Sequence, residues 1–201
     1  MEYYGGRAMS MEHRAFLFDT ERFYAEIEPV MRGSIKTTEV ARKYIYEHLD
    51  ELQSPYTGDV LGEDWENEFS ELNLQVYFDI LLTACYEVDD DCGLCEMWDA
   101  VNGTIKGLDV FGEPEIAVLG RGIVVDDVQV DPGMMGLGIV ESHEVPDILD
   151  TLMEYRDEAE DVEPEDLFYD VEPQERMEAY DDLCALYEEA ARQGKGLLFT
   201  F

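Results

Sequence analysis

Apolar residues recur along this chain in two periods, and the switches between them outline a mixed fold. Arg14-Ala-Phe-Leu-Phe18 is a short apolar run that predicts a first strand. Asp19 suits a helix N-cap, and Phe23, Ile27 and Val30-Met31 then recur at helical spacing up to Gly33. A second helix is predicted from about Thr38, with Val40, Tyr44, Ile45, Leu49 and Leu52 as its stripe and Ser54-Pro55 as its stop. Residues 54–67 read as loop from their Pro, Gly and Asp content. Residues 68–86 read as a third helix with Phe69, Leu72, Val76, Ile80, Leu81 and Cys85 inward. A turn over residues 89–93 leads to a short helix at about 96–101.

Residues 103–121 hold several glycines and a proline, with a short helix expected at 114–119. Residues 122–130 predict one Val- and Ile-rich strand, 131–134 a turn and 137–141 another strand. A helix is expected over 144–159 with Ile148, Leu149, Leu152 and Met153 inward; Pro146 is tolerable there because it falls at the first turn. Another short helix is expected at 164–169. The clearest helix is the last, where Met177, Tyr180, Cys184, Tyr187 and Ala191 fall at steps of three and four. Leu183, Leu186 and Ala190 flank this stripe, while Glu175, Glu178, Asp181, Asp182, Glu188 and Glu189 cover the outside. Gly194 suits its C-cap, and residues 196–201 form an apolar closing strand. The expectation is a helix-rich α+β fold: a single domain over residues 11–201 with a small sheet of about four strands. Residues 1–10, broken by Gly5-Gly6, read as a flexible extension.

Composition changes this picture in one respect. With 46% apolar and 11% aromatic residues, the chain is too rich for an acidic disordered polymer, so the acids decorate a core. The formal net charge is −36, and it is unevenly placed. Residues 1–43 carry seven bases and seven acids, while the remaining residues carry six bases and 42 acids. Excess charge of one sign opposes folding by self-repulsion and governs solubility and partners. Direct binding of nucleic acid or of an anionic membrane is excluded, since both need clustered Lys and Arg. No apolar run reaches the roughly 18 residues that span a bilayer, and the first residues lack the apolar core of a secretory signal. Four cysteines are too few for a disulfide scaffold, so a cytoplasmic location with reduced thiols is expected.

Candidate chemistry is sparse. Cys92-Gly-Leu-Cys95 has the spacing of a zinc or thiol-exchange pair, but a second pair is absent and Asp89, Asp90, Asp91 and Glu96 surround it. Cys85 and Cys184 lie on apolar stripes and read as core. A calcium loop starting at Asp89 fails, because Gly93 and Leu94 occupy the positions that need an oxygen ligand and a glycine. No nucleophile elbow, P-loop, dinucleotide fingerprint or metalloprotease motif occurs, and no catalytic residue, cofactor or metal is expected. Met134-Met135 between glycines reads as a buried turn rather than an exposed recognition tip.

The segment from Met177 through Ala190-Ala191 to Gly194 and Leu197-Leu-Phe199 is similar to the closing segment of the YfbM-like bacterial proteins. Met135-Gly-Leu-Gly-Ile-Val-Glu-Ser142, followed by Glu144–Met153, resembles that family's glycine-rich strand and following helix. The resemblance covers roughly residues 103–201, and Arg14–Arg32 departs from it. It implies a compact α+β fold, no catalytic residue to carry over, and kinship with immunity proteins against bacterial toxins.

The functional expectation is therefore an acidic binding protein that neutralises a basic protein partner, such as a nuclease-type toxin. An array of carboxylates suits Arg and Lys on such a target and speeds association. The candidate contacts are Asp64, Trp65 and Glu66, an aromatic ringed by acids in a loop, and Asp157, Glu158, Glu160, Asp161 and Glu163 at the start of the most acidic stretch. The competing readings are a small hydrolase using scattered carboxylates, and an acidic surface of the halophilic kind that serves solvation alone.

Overall fold

A computed structural model describes residues 12–132, 136, 138–165 and 167–201. The proposed N-terminal extension (1–10) and the Met134-Met135 turn lie outside the described residues. The fold is α+β, built on one antiparallel sheet of five strands in the order β1-β5-β4-β2-β3. The strands are β1 (Arg14–Phe18), β2 (Arg121–Val125), β3 (Val128–Val130), β4 (Gly138–Val140) and β5 (Gly196–Thr200). The predicted first and last strands meet each other: Phe16 pairs with Leu198 and Leu17 with Leu197. Alternation along the strands sends Phe16, Phe18, Ile123, Val125, Ile139 and Leu198 into one core, and Ala15, Val140, Leu197 and Phe199 into a second.

Each core is closed by its own layer of helices. The first layer comes from the N-terminal half. It holds α1 (Thr20–Arg22), a π-turn (Phe23–Ile27) and α2 (Glu28–Ser34), then α3 (Glu39–Glu47) and α4 (Leu74–Leu82). Asp19 caps the first of these by accepting from the Arg22 N–H at 2.8 Å. The second layer holds α5 (Trp98–Leu108), α6 (Ile116–Leu119), α7 (Val145–Glu154), α8 (Arg156–Glu160) and α9 (Pro173–Gln193). On α9 the predicted stripe is buried from Met177 to Ala190, and Gly194 ends it in the left-handed region at φ 66°. The hydroxyls of Tyr180 and Tyr187 donate to the carbonyls of Leu152 and Ala117 at 2.9 and 3.0 Å, tying α9 to α7 and α6.

Several boundaries differ from the sequence pattern, each for a local reason. The second helix stops at Glu47, and Leu52 reaches the core from a turn; Val40 is 39% exposed. The third starts at Leu74, because the Asn73 side chain caps the Val76 N–H. Phe69 and Leu72 pack on the core from the loop before it. The helix expected at 96–101 instead runs to Leu108, through Gly103 and Gly107. Those glycines signal close packing rather than a loop: a Cβ on Gly107 would lie 2.5 Å from Val162 Cγ1. The single strand over 122–130 is a hairpin, turned at Asp126 in the left-handed region at φ 53°, so the sheet has five strands and not four. The helix over 144–159 breaks at Tyr155, and Met153 is exposed. No helix forms among the described residues of 164–169.

The acidic turn before α5 covers the edge of the sheet. The Cys92 N–H donates to the Ala15 carbonyl at 2.8 Å, Asp91 accepts from the Ala15 N–H at 3.1 Å, and Cys95 pairs with His13. A Cβ on Gly93 would sit 2.1 Å from the His13 carbonyl oxygen, so only glycine fits there. The outward ladder groups of His13 and Ala15 are thus occupied. His13 is buried and neutral: Nε2–H donates to Val118 O at 2.7 Å and Nδ1 accepts from the Leu94 N–H at 3.1 Å. Burial pushes its pKa down to about 4.

Candidate functional site

The most acidic part of the molecule is the outer surface of α7, α8 and α9 together with the segment that joins α8 to α9. Asp147, Asp150, Glu154, Asp157, Glu158, Glu160, Asp161 and Glu163 are all exposed on it. Asp157, Glu158, Asp161 and Glu163 form no ion pair among the described residues, while Glu160 pairs with Arg156, which also holds Asp181 at 2.9 Å. The backbone beneath these acids is tethered. Arg176 is buried and donates to the carbonyls of Glu160 and Val162 and to Thr104 Oγ1. A guanidinium engaged by neutral carbonyls acts here as a structural clamp on the acidic turn.

Elsewhere the cations are matched within the chain. Arg14 pairs with Asp91, Arg22 with Glu26 and Glu51, Arg32 with Glu28 and Asp126, Arg121 with Glu113 and Glu144, and Lys195 with Asp19. Ion pairs thus occur on both layers, those of Lys106, Arg156 and Arg192 included, while the turn after α8 is left with net carboxylate charge.

The two predicted contact sets fare differently. Trp65 is not an exposed anchor: it is fully buried, with its ring edge-on to Tyr46, Phe69 and Tyr77 at centroid distances of 5.9, 6.2 and 5.9 Å. An indole in a loop beside a half-built core gains far more by folding inward than by waiting in water. Glu66 is bound to Arg42 at 2.5 Å, so of this trio only Asp64 is exposed without an ion pair among the described residues. The α8 set is exposed as expected. An exposed aromatic, Phe168, lies further along the segment that joins α8 to α9, where the sequence pattern predicts a helix. Phe168 is 67% exposed, its N–H donates to Asp99 at 2.6 Å, and its ring lies 6.1 Å from that of Trp98. The signal available was an aromatic between Pro164 and Pro173, where no apolar stripe claims it.

A second feature is a cavity of about 220 Å³ between β1, β5 and α4. It is lined by Arg14, Phe16, Tyr56, Asp79, Tyr86 and Thr200 among others. Asp79 is buried, and a Gln75 amide donates to it at 2.7 Å. Burial, with the nearby Asp131 adding to it, pushes its pKa up to about 7 against the pull of the Gln75 hydrogen bond. This carboxyl was hidden in the sequence by its position on an apolar helix.

Cys92 and Cys95 are exposed free thiols, and Cys85 and Cys184 are buried. Partial burial and then the neighbouring acids, Asp91 first, push the Cys92 and Cys95 thiols up, which slows their reaction as nucleophiles. Among the described residues no three Cys, His, Asp or Glu side chains are grouped to hold a metal ion. Among the described residues no helix is long and apolar enough to cross a membrane. The chain matches no family model, no curated protein and no solved structure.

Proposed function

We propose that this chain is a binding protein whose α8–α9 face captures a basic protein, with a nuclease-type toxin as the partner class. The observation that carries the reading is the set of exposed carboxylates at Asp157, Glu158, Asp161 and Glu163 that form no ion pair among the described residues, with an exposed Phe168 further along the chain, beside the first turn of α5. Carboxylates supply steering and selectivity for Lys and Arg, and an exposed aromatic supplies the desolvated centre of an interface. A nucleic-acid-cleaving toxin presents the required cationic groove.

The test is capture at low salt followed by titration of the purified captured protein. A basic partner is expected, with affinity that falls at least about tenfold between 50 and 500 mM salt. Phe168→Ala, and separately the combined Asp157→Asn, Glu158→Gln and Asp161→Asn, should each weaken it by about tenfold or more. Binding that ignores salt, or that survives both variants unchanged, rejects the reading.

A further inference from the structure

We propose that the cavity between β1, β5 and α4 binds a small arylalkyl amine, its ammonium on Asp79 and its aromatic end among the surrounding rings. This is independent of the acidic helical face. Asp79 is 8% exposed and meets only a neutral donor, Gln75 Nε2 at 2.7 Å. The Gln75 amide is held in that orientation because its oxygen accepts from the Asp131 N–H at 3.1 Å. No cation pairs with Asp79 among the described residues. The lining cation, Arg14, is already engaged: it pairs with Asp91 at 2.8 Å, donates to Val88 O at 3.3 Å, and lies 5.0 Å from the Phe16 ring centroid. The other groups that act on Asp79 are acidic or phenolic: Asp131 raises it, and Tyr56 and Tyr86 are themselves raised by it. A buried carboxyl in such surroundings lacks a counter-charge, and a ligand ammonium supplies one.

The rest of the wall sets the ligand's other end. Phe16 and Tyr86 are 4.7 Å apart, and Tyr56, 63% exposed, stands among the lining residues. Aromatic faces attract a cation and pack on an aryl group. A cavity of about 150 Å³ suffices for benzene. The volume of about 220 Å³ therefore holds a phenyl ring with a short aminoalkyl arm. Because Asp79 is half protonated near neutrality, the ammonium must displace its proton, and affinity follows the ionised fraction.

The experiment titrates the whole chain with 2-phenylethylamine, 3-phenylpropan-1-ol and phenylacetate by calorimetry and NMR at pH 5.5 and 7.5. The amine is expected to bind, about twentyfold more tightly at the higher pH. Asp79→Asn, which keeps the oxygen that accepts from Gln75, should lose at least about tenfold in amine affinity and lose the pH dependence. Tyr56→Ala, at an exposed position that cannot unfold the core, should weaken the amine severalfold and leave the pH dependence intact. Preference for phenylacetate, equal binding of the alcohol, equal binding of the amine to Asp79→Asn, or no binding of the amine would each overturn the proposal.

Discussion

The two helical layers of this molecule solve the same packing problem with the same sign of charge but different balances of acid and base. Residues 19–86, which build the first layer, carry 15 acids and five bases; residues 144–194, which build most of the second, carry 19 acids and three bases. On the first layer the arginines bridge carboxylates of different elements, as Arg22 does to Glu51 and Arg42 to Glu66. Its core is aromatic, with Phe16, Phe18, Phe23, Phe78 and Trp65 buried together. On the second layer one 21-residue helix carries the load through an apolar stripe and two tyrosine hydroxyls, and its outer acids make few internal contacts. Ion pairs link elements on both sides of the sheet, as Arg156 does between Glu160 and Asp181, but the second layer has fewer cations for more acids. Asp157, Glu158, Asp161 and Glu163 are exposed and form no ion pair among the described residues, so their charge is met by solvent.

The comparison rests on a shared sheet, and the largest test removes the strand that both layers need. Deleting residues 197–201 strips Leu198 from one core and Leu197 and Phe199 from the other, all fully buried. At roughly 1.5–3 kcal/mol each, the loss is about 5–9 kcal/mol, comparable to the whole stability of a domain. The truncated chain should be insoluble or molten by near-UV circular dichroism. A cooperative melt at the original temperature would mean that the layers do not depend on β5.

Next in size is Trp65→Ala, which addresses the first layer alone. The side chain is fully buried and its Nε1 has no hydrogen-bond partner among the described residues, so the loss is one of packing. Removing it should cost about 3–5 kcal/mol, read by denaturant titration. It should leave partner binding by the refolded fraction unchanged. A stable variant that has lost its partner would restore Trp65 as a contact.

A smaller effect concerns pH. The folded chain holds the Asp79 proton up to about pH 7, whereas the unfolded chain loses it near the ordinary carboxylate value. Its contribution is therefore complete in acid and is lost as pH rises through that window, by up to about 4 kcal/mol. His13 works in the other sense. Its pKa falls to about 4 on folding, so its contribution is present above the ordinary histidine value and is lost as pH falls below it. Asp79→Asn should match the parent chain near pH 4 and exceed it by a growing margin up to pH 7, in melts run side by side. A constant margin would show that the carboxyl is not buried as described.

The smallest expected change is on the second layer. Neutralising Asp157, Glu158 or Asp161 singly should shift stability by no more than about 0.5 kcal/mol, upward, because each removes self-repulsion and breaks no ion pair. A loss above about 1 kcal/mol would mean that these acids are structural after all, and the contrast between the layers would fail.

Wherever period and punctuation agreed, the sequence alone determined the element: β1, the Asp19 cap, the α9 stripe, the Gly194 cap and β5 all lie where the pattern puts them. The α+β class and the acidic character of the C-terminal surface were legible for the same reason. They depend on local propensity and on charge count, which need no partner segment. What only the tertiary structure decided depends on residues far apart in the chain. Gly103 and Gly107 look like loop signals until Val162 and Pro164 are seen lying against them. Trp65 looks like a surface anchor until Tyr46 and Tyr77 enclose it. Asp79 is an ordinary helical acid until β1, β5 and the Pro55–Tyr56 loop close a cavity over it and withdraw the water that would have kept it ionised.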